Sequence, residues 1–241
     1  MRKQDIKGEL NIFKFPSHAK YVLANKKKDF PYHGVYCFCG WQGSGKTISA
    51  VRLIANILND YPDTYLVTNV DLNFEILKYI KQENVIKLQR YYQIFLNYDK
   101  PTIFLIDEAH LLFNSLNSRN TDIRMFQVIS QNRKRRRVFI LTSQVFNRLE
   151  LVMREQINTV IACNTYFNYF TRCLVIGDFK KVGDDLVGKR LFAAWWSHDR
   201  KIHYDMYDTY QVIDFSPDSP FWNKAEFDKK EGIYNEIIKI N

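Results

Sequence analysis

Nowhere in the 241 residues do roughly 18 apolar residues run together, the length a helix needs to cross a bilayer, so no membrane span is expected. The opening residues, Met1-Arg2-Lys3-Gln4-Asp5, start no secretory signal peptide. Cysteine is scarce, at four residues, and none forms a CxxC pair or a zinc-finger spacing. Cys37 and Cys39 alternate within one apolar run and so share a face of a strand, while Cys163 and Cys173 lie far downstream. Buried free thiols in a reducing compartment are the expectation. Internal repeats and low-complexity tracts are not evident. Acids are in deficit: 26 Asp and Glu stand against 35 Lys and Arg, a formal net charge of +9. That balance suits a polyanionic partner, and it suits a generally basic soluble protein equally well.

Apolar residues, by contrast, are plentiful. The chain is 46% hydrophobic and 25% charged, with 18 Phe and 15 Tyr, which supplies ample core for one domain with extensions. Residues 1–30 are polar and basic around Lys26-Lys27-Lys28 and are expected to form an N-terminal arm. Gly34 to Cys39 is apolar throughout, as in a strand buried on both faces. Ile48, Val51, Ile54, Ile57 and Leu58 then recur at helical spacing until Tyr61-Pro62-Asp63 stops the helix. Further strands are expected at Tyr65–Thr68, Thr102–Ile106, Val138–Thr142 and Asn158–Cys163. Helical segments are expected at Phe74–Ile80, around Ile123, Phe126 and Ile129, and at Leu149–Gln156. Strands alternating with helices predict an α/β core over residues 31–178, a mostly parallel sheet flanked by helices. Past Asp178 the pattern weakens. Residues 179–241 are expected to be a short C-terminal extension, with an edge strand near Tyr207–Ile213 and a short helix near Ile233–Ile240.

Chemistry concentrates in one segment. Gly40-Trp41-Gln42-Gly43-Ser44-Gly45-Lys46-Thr47 matches G-x-x-x-x-G-K-[ST], with a buried strand before it and a helix after it. Gly40, Gly43 and Gly45 let the backbone wrap closely around phosphates. N–H groups from Gly43 through Ser44 to Thr47 form an anion nest at a helix N-terminus. Lys46 is expected to reach the β- and γ-phosphates of ATP, and Thr47 to place its hydroxyl on Mg²⁺. Asp107 and Glu108 close the strand Thr102–Ile106 in the manner of a Walker B site. Asp107 would hold Mg²⁺, partly through water, and Glu108 would polarise the attacking water. Asp107-Glu108-Ala109-His110 also spells a DEAH box, but a second helicase domain has no room here, and His110 is taken as a helix-start residue. Gln144 ends the strand Ile140-Leu141-Thr142-Ser143. In P-loop enzymes with a glutamate beside the Walker B aspartate, a later strand inserts between the loop strand and the Walker B strand. Gln144 would then lie between Lys46 and Asp107, where an amide senses the γ-phosphate or holds the attacking water. An ordinary strand-end polar residue is the competing reading.

The phosphate loop, Leu105-Ile106-Asp107-Glu108-Ala109 and Thr142-Ser143-Gln144 together resemble the HerA–FtsK superfamily of P-loop ATPases, over roughly residues 33–165. Two viral groups are similar in length and texture. They are the small genome-packaging ATPases of membrane-containing viruses and the zonula-occludens-toxin-like (Zot-like) assembly ATPases of filamentous phages. Val67-Thr68-Asn69, Leu112-Phe113-Asn114-Ser115 and Gln131-Asn132-Arg133 carry that narrower likeness. The resemblance implies a RecA/ASCE-like fold, a homo-oligomeric ring and an arginine finger supplied by a neighbour. Arg133 is the first candidate for the finger, Arg119 the second and Arg154 the third. The run Arg133–Arg137 has two other readings, as cations favoured at a helix C-terminus and as DNA contacts in a ring channel. The implied activity is an ATP-driven translocase on double-stranded DNA, packaging a viral genome with a capsid portal or vertex partner. It would work in the host cytoplasm and in association with the virion. The alternative is a morphogenesis or export ATPase acting with a membrane partner, although the span normal in filamentous-phage relatives is not seen here.

Overall fold

Runs that are apolar at every position have no side to turn toward water, so they pair into a sheet covered on both faces. In the computed structural model, which describes residues 30–78, 80–113, 129–182, 185–198, 203–208 and 221, this is what the runs do. Strands β1 (Gly34–Cys39), β2 (Tyr65–Thr68), β3 (Val85–Lys87), β4 (Thr102–Ile106), β5 (Arg137–Ser143), β6 (Thr159–Tyr166), β7 (Phe170–Val182) and β8 (Asp185–Ser197) form one eight-stranded sheet. Its order is β3-β2-β4-β5-β1-β6-β7-β8. The strands from β3 to β6 run parallel, while β7 and β8 add in antiparallel sense. The α/β, mostly parallel fold expected from the sequence is present.

The described helices are α1 (Lys46–Asp60), α2 (Ala109–Leu112) and α3 (Leu151–Gln156). Alternate residues of each central strand enter different cores. Phe38, Ile103, Leu105, Val138 and Ile140 pack under α1. Val35, Cys37, Phe104, Ile106, Phe139 and Leu141 pack under α2 and α3. Phe104 and Phe139 stack across the second core with ring centroids 4.5 Å apart. Beneath them Arg137 is buried, with its guanidinium donating to the carbonyls of Ile94 and Leu96. All four cysteines are free and buried, and Cys37 and Cys39 share a face with sulfurs 3.4 Å apart.

Several expectations need correcting. Among its described residues, the segment Phe74–Ile80 is a set of turns and bends rather than a helix. The Asn73 side chain accepts from the Glu75 N–H, and the Asn73 carbonyl accepts from both Ile76 and Leu77. A side chain that bonds its own backbone in this way competes with helix propagation. The boundary placed at 178/179 falls inside β7, which continues to Val182 and returns as β8 to Ser197. Tyr207 makes an isolated antiparallel bridge with Leu72. The remainder of the expected edge strand, the helix near Ile233–Ile240, the arm before Phe30 and most of the helix around Ile123 to Ile129 lie outside the described residues. Among the described residues, no helix is long and apolar enough to cross a membrane.

Candidate nucleotide and metal site

Parallel strands bring their carboxyl ends to a common rim, and ligands of open α/β sheets bind there. On this rim β5 lies between β1 and β4. The residues that follow β1, β5 and β4 are therefore neighbours, namely the phosphate loop, Gln144 and Asp107.

The loop closes with Gly45 as the N-cap of α1 at φ 82°. This left-handed conformation disfavours a side chain, and a Cβ there would sit 2.5 Å from Thr165 Oγ1 and 2.7 Å from Thr171 Oγ1. Glycine is thus required twice over, by the turn and by the closeness of β6 and β7. The first turn of α1 carries no acid, so the positive end of the helix dipole faces the loop unopposed. Ser44 Oγ is buried with no hydrogen-bond partner. Lys46 is also buried, its Nζ donating to the Trp41 carbonyl at 3.2 Å. Trp41 itself is 81% exposed. A helix N-terminus without acids, an unpartnered hydroxyl and a lysine whose one hydrogen-bond partner among the described residues is a loop carbonyl fit a polyphosphate.

Thr47 Oγ1 donates to Asp107 Oδ1 at 2.8 Å, and Thr142 Oγ1 donates to the same oxygen at 2.5 Å. A hydroxyl against a carboxylate is a hard-oxygen donor set, which fits Mg²⁺. Asn69, just after β2, fixes the aspartate from behind. Its amide oxygen accepts from the Asp107 N–H at 2.8 Å, and its amide nitrogen donates to the Asp107 carbonyl at 3.0 Å. Glu108 follows in a left-handed conformation, φ 50°, costing on the order of 1–3 kcal/mol for a non-glycine residue. Its N–H donates to Thr142 Oγ1 at 3.0 Å, and its carbonyl accepts from Leu111 at 2.9 Å. Thr142 therefore serves both acidic residues.

His110 Nδ1 lies 3.2 Å from Glu108 Oε2, within ion-pair range but not aligned for a hydrogen bond. Burial pushes the imidazole below its ordinary value. The pull of Glu108 opposes that shift, and the charges of Arg148 and Lys46 add to it. His110 is accordingly neutral near pH 7.

Of the residues expected from the sequence, Gly40, Gly43, Ser44, Gly45, Lys46, Thr47, Asp107, Glu108 and Gln144 all come to this rim. Gln144 directly follows β5 and is half-buried. Arg133 does not join them. It is exposed and precedes β5, so the length of a seven-residue strand, roughly 20 Å, separates it from the site of its own subunit. Arg154 sits on α3 near Asn147. Arg119 lies outside the described residues. Sequence reasoning missed Arg148, whose charge reaches His110 and whose only signal was its place shortly after Gln144. It also assigned no role of their own to Asn69 and Thr142, both inside quoted motifs. Tyr207 was missed as well. Burial, and next to it the negative charges of Asp107 and Tyr204, push its phenol far up.

Behind the loop, the antiparallel strands hold α1. Trp196 Nε1 donates to Ser49 Oγ at 3.1 Å, and the Arg52 guanidinium lies 4.4 Å from the Trp196 ring centroid. Thr165, Thr171, His198 and Tyr204 form a hydrogen-bonded chain with links of 2.7, 2.6 and 3.2 Å.

The family model described as zonular occludens toxin (Zot) matches residues 34–180. No curated protein matches the sequence. Among solved structures, the chain is similar to the N-terminal domain of zonular occludens toxin from Neisseria meningitidis, at 16% identity and a TM-score of 0.47. That match covers 73% of this chain and 100% of the other. It is also similar to B204, the DNA-packaging ATPase of Sulfolobus turreted icosahedral virus, at 14% identity and a TM-score of 0.46, over 60% and 92% of the two chains. The flagellar accessory protein FlaH from Methanocaldococcus jannaschii matches at 12% identity and a TM-score of 0.43, over 59% and 76%.

Proposed function

The chain belongs to the Zot family, and from that premise we propose that it is an ATP-hydrolysing DNA translocase that works in virion assembly. The observation that carries the reading is the convergence on one rim of Thr47 on Asp107 at 2.8 Å, Glu108 beside it, and Gln144 at the end of the inserted strand β5.

The roles follow from the positions. Loop amides and Lys46 would bind the phosphates, and Thr47 and Asp107 would hold Mg²⁺, which when bound neutralises charge on the phosphate oxygens. Glu108, fixed by its strained backbone, would accept a proton from the attacking water. Gln144 orients that water or senses the γ-phosphate. A finger has to come from a neighbouring subunit of a ring. Arg133, remote from its own site, suits only that arrangement, while Arg148 is exposed on the same rim as the chemistry. Double-stranded DNA is the proposed cargo on the strength of the +9 charge, with a capsid portal or vertex as partner, in the host cytoplasm or on the virion.

ATP turnover measured with and without double-stranded DNA at low salt tests this. DNA is expected to raise the rate, and Lys46→Ala to abolish it. Equal rates with and without DNA would overturn the translocase. A second reading is favoured by the family match over residues 34–180, that of an export or morphogenesis ATPase anchored by a membrane partner. Co-fractionation with a membrane protein in the absence of DNA binding would select it.

A further inference from the structure

Two threonine hydroxyls stand against the end of the phosphate loop. Thr165 Oγ1 from β6 and Thr171 Oγ1 from β7 lie 2.5 and 2.7 Å from where a Cβ on Gly45 would sit. They face each other across the antiparallel ladder, with their oxygens 2.7 Å apart. From this pair a line of hydrogen bonds leads away from the loop. Thr171 Oγ1 meets His198 Nε2 at 2.6 Å, and His198 Nδ1 meets the Tyr204 hydroxyl at 3.2 Å. That hydroxyl donates to the Asn168 carbonyl in the β6–β7 turn at 3.1 Å. The His198 N–H donates to the Tyr169 carbonyl of the same turn at 2.6 Å. Both Thr171 and His198 are buried.

The far end of the line fixes the direction of every bond in it. A carbonyl only accepts, so the single Tyr204 proton goes to Asn168. The Tyr204 oxygen must then accept from His198 Nδ1–H. Burial keeps the imidazole neutral, and a neutral ring protonated at Nδ1 has Nε2 as its acceptor. Thr171 therefore gives its one proton to Nε2 and accepts from Thr165. No hydroxyl in the line is left to choose between partners.

We propose that Thr171 is a positioning residue for the phosphate loop, the ordered line from Asn168 locking the Thr171 and Thr165 hydroxyls against Gly45 and so holding the loop in the shape that receives phosphate. The inference rests on the nucleotide-site reading above. A wall whose hydroxyls are already ordered leaves less order for the nucleotide to impose on binding. Tyr204 belongs to the segment 203–208, which is tied to the loop after β2: the Asn73 N–H donates to the Met206 carbonyl, and the Asp208 N–H to the Asp71 carbonyl, both at 2.9 Å. The C-terminal part of the chain would thereby act on the nucleotide site from behind.

Two measurements test this. In ¹⁵N NMR of the intact protein at neutral pH, the His198 ring is expected to carry its proton on Nδ1. A proton on Nε2 would overturn the proposal, because it reverses the bond to Thr171. In binding of a fluorescent ADP analogue, Thr171→Val keeps the side-chain shape and removes the hydroxyl. It is expected to weaken affinity about 3–10-fold, the worth of one hydrogen bond, while Thr171→Ser, which keeps the hydroxyl, binds as wild type. Tyr204→Phe, at the half-buried end of the line, is expected to weaken binding in the same direction and to add nothing in a Thr171→Val background. Equal losses in Thr171→Val and Thr171→Ser would overturn the proposal by reducing Thr171 to packing. Additive losses from Thr171→Val and Tyr204→Phe would overturn it as well. Should Thr171→Val fail to fold, wild-type affinity in Tyr204→Phe would do the same. Wild-type protein that binds no nucleotide would instead sink the reading on which the proposal rests.

Discussion

The two halves of the sheet are built to different rules. From β2 to β1 the strands are parallel and largely buried on both faces, and most of their apolar side chains serve one of two cores. From β6 to β8 they are antiparallel and two-sided. Cys173, Val175 and Trp196 turn inward toward α1, while Tyr166, Phe170 and Trp195 turn outward, with Trp195 56% exposed and Arg172 over its ring. Parallel strands place their carboxyl ends together, and the residues proposed for phosphate, metal and water all stand on that rim. Antiparallel strands offer no such rim. What they offer is a face, and Trp196 and Thr171 use it to back α1 and the phosphate loop. One half would carry out the chemistry, and the other holds that half in place.

The division can be attacked in order of expected effect. Glu108→Gln should lower ATP turnover by ~10²–10⁴-fold, the usual worth of a general base, and leave nucleotide binding intact. Single-turnover hydrolysis beside fluorescent-nucleotide binding would show it. A comparable loss of turnover from a fully folded β8 variant would erase the distinction between the halves. Trp196→Ala removes a buried ring, its hydrogen bond to Ser49 and its contact with Arg52. It should cost about 3–5 kcal/mol in urea unfolding, and an unchanged midpoint would mean that the antiparallel half unfolds apart from the rest.

Acid should expose the same support. His198 is 2% exposed. Burial, reinforced by the charge of Arg52, pushes it down from 6.5 to about 4. The unfolded chain therefore takes up this proton more readily than the folded one. The stability contributed by neutral His198 is complete above about pH 6.5 and declines as pH falls toward 4, by on the order of 3 kcal/mol in all. Urea midpoints across that range should fall in wild type and flatten in His198→Asn. Phe167, at the β6–β7 turn and 91% exposed, marks the lower limit. Phe167→Ser should change stability by no more than about 0.5 kcal/mol, and a larger effect would show that the turn packs against something.

The parallel half was also the half that could be read in the sequence. Runs such as Val138–Thr142 declare themselves because a strand buried twice has no polar position to interrupt it. β3 escaped because three residues hold no pattern. β7 and β8 escaped for a different reason. A half-buried strand is recognised by strict alternation, and this pair shifts register between Val175 and Ile176 and again between Gly177 and Lys180, which breaks the period of two. At the site, the phosphate loop and Asp107-Glu108 were legible because backbone geometry and metal chemistry fix their spacing along the chain. Asn69 and Thr142 were visible only as letters of motifs, since nothing in a linear sequence says that both serve Asp107. Tyr207 had no local signal at all, because its bridge with Leu72, made through tertiary folding, leaves no spacing to find.

The position of β1 has a further consequence, for how the protein is made. Among the described strands β1 is the first to be synthesised, yet its partners are β5 and β6, which come about a hundred residues later. Until residues near Val138 to Ser143 leave the ribosome, Val35, Cys37 and Phe38 have no strand beside them, and the apolar run has two open edges. Such delayed long-range pairing folds slowly and exposes the nascent chain to aggregation. The phosphate loop, although encoded early, would therefore become competent late, with nucleotide capture marking the end of assembly of the central sheet.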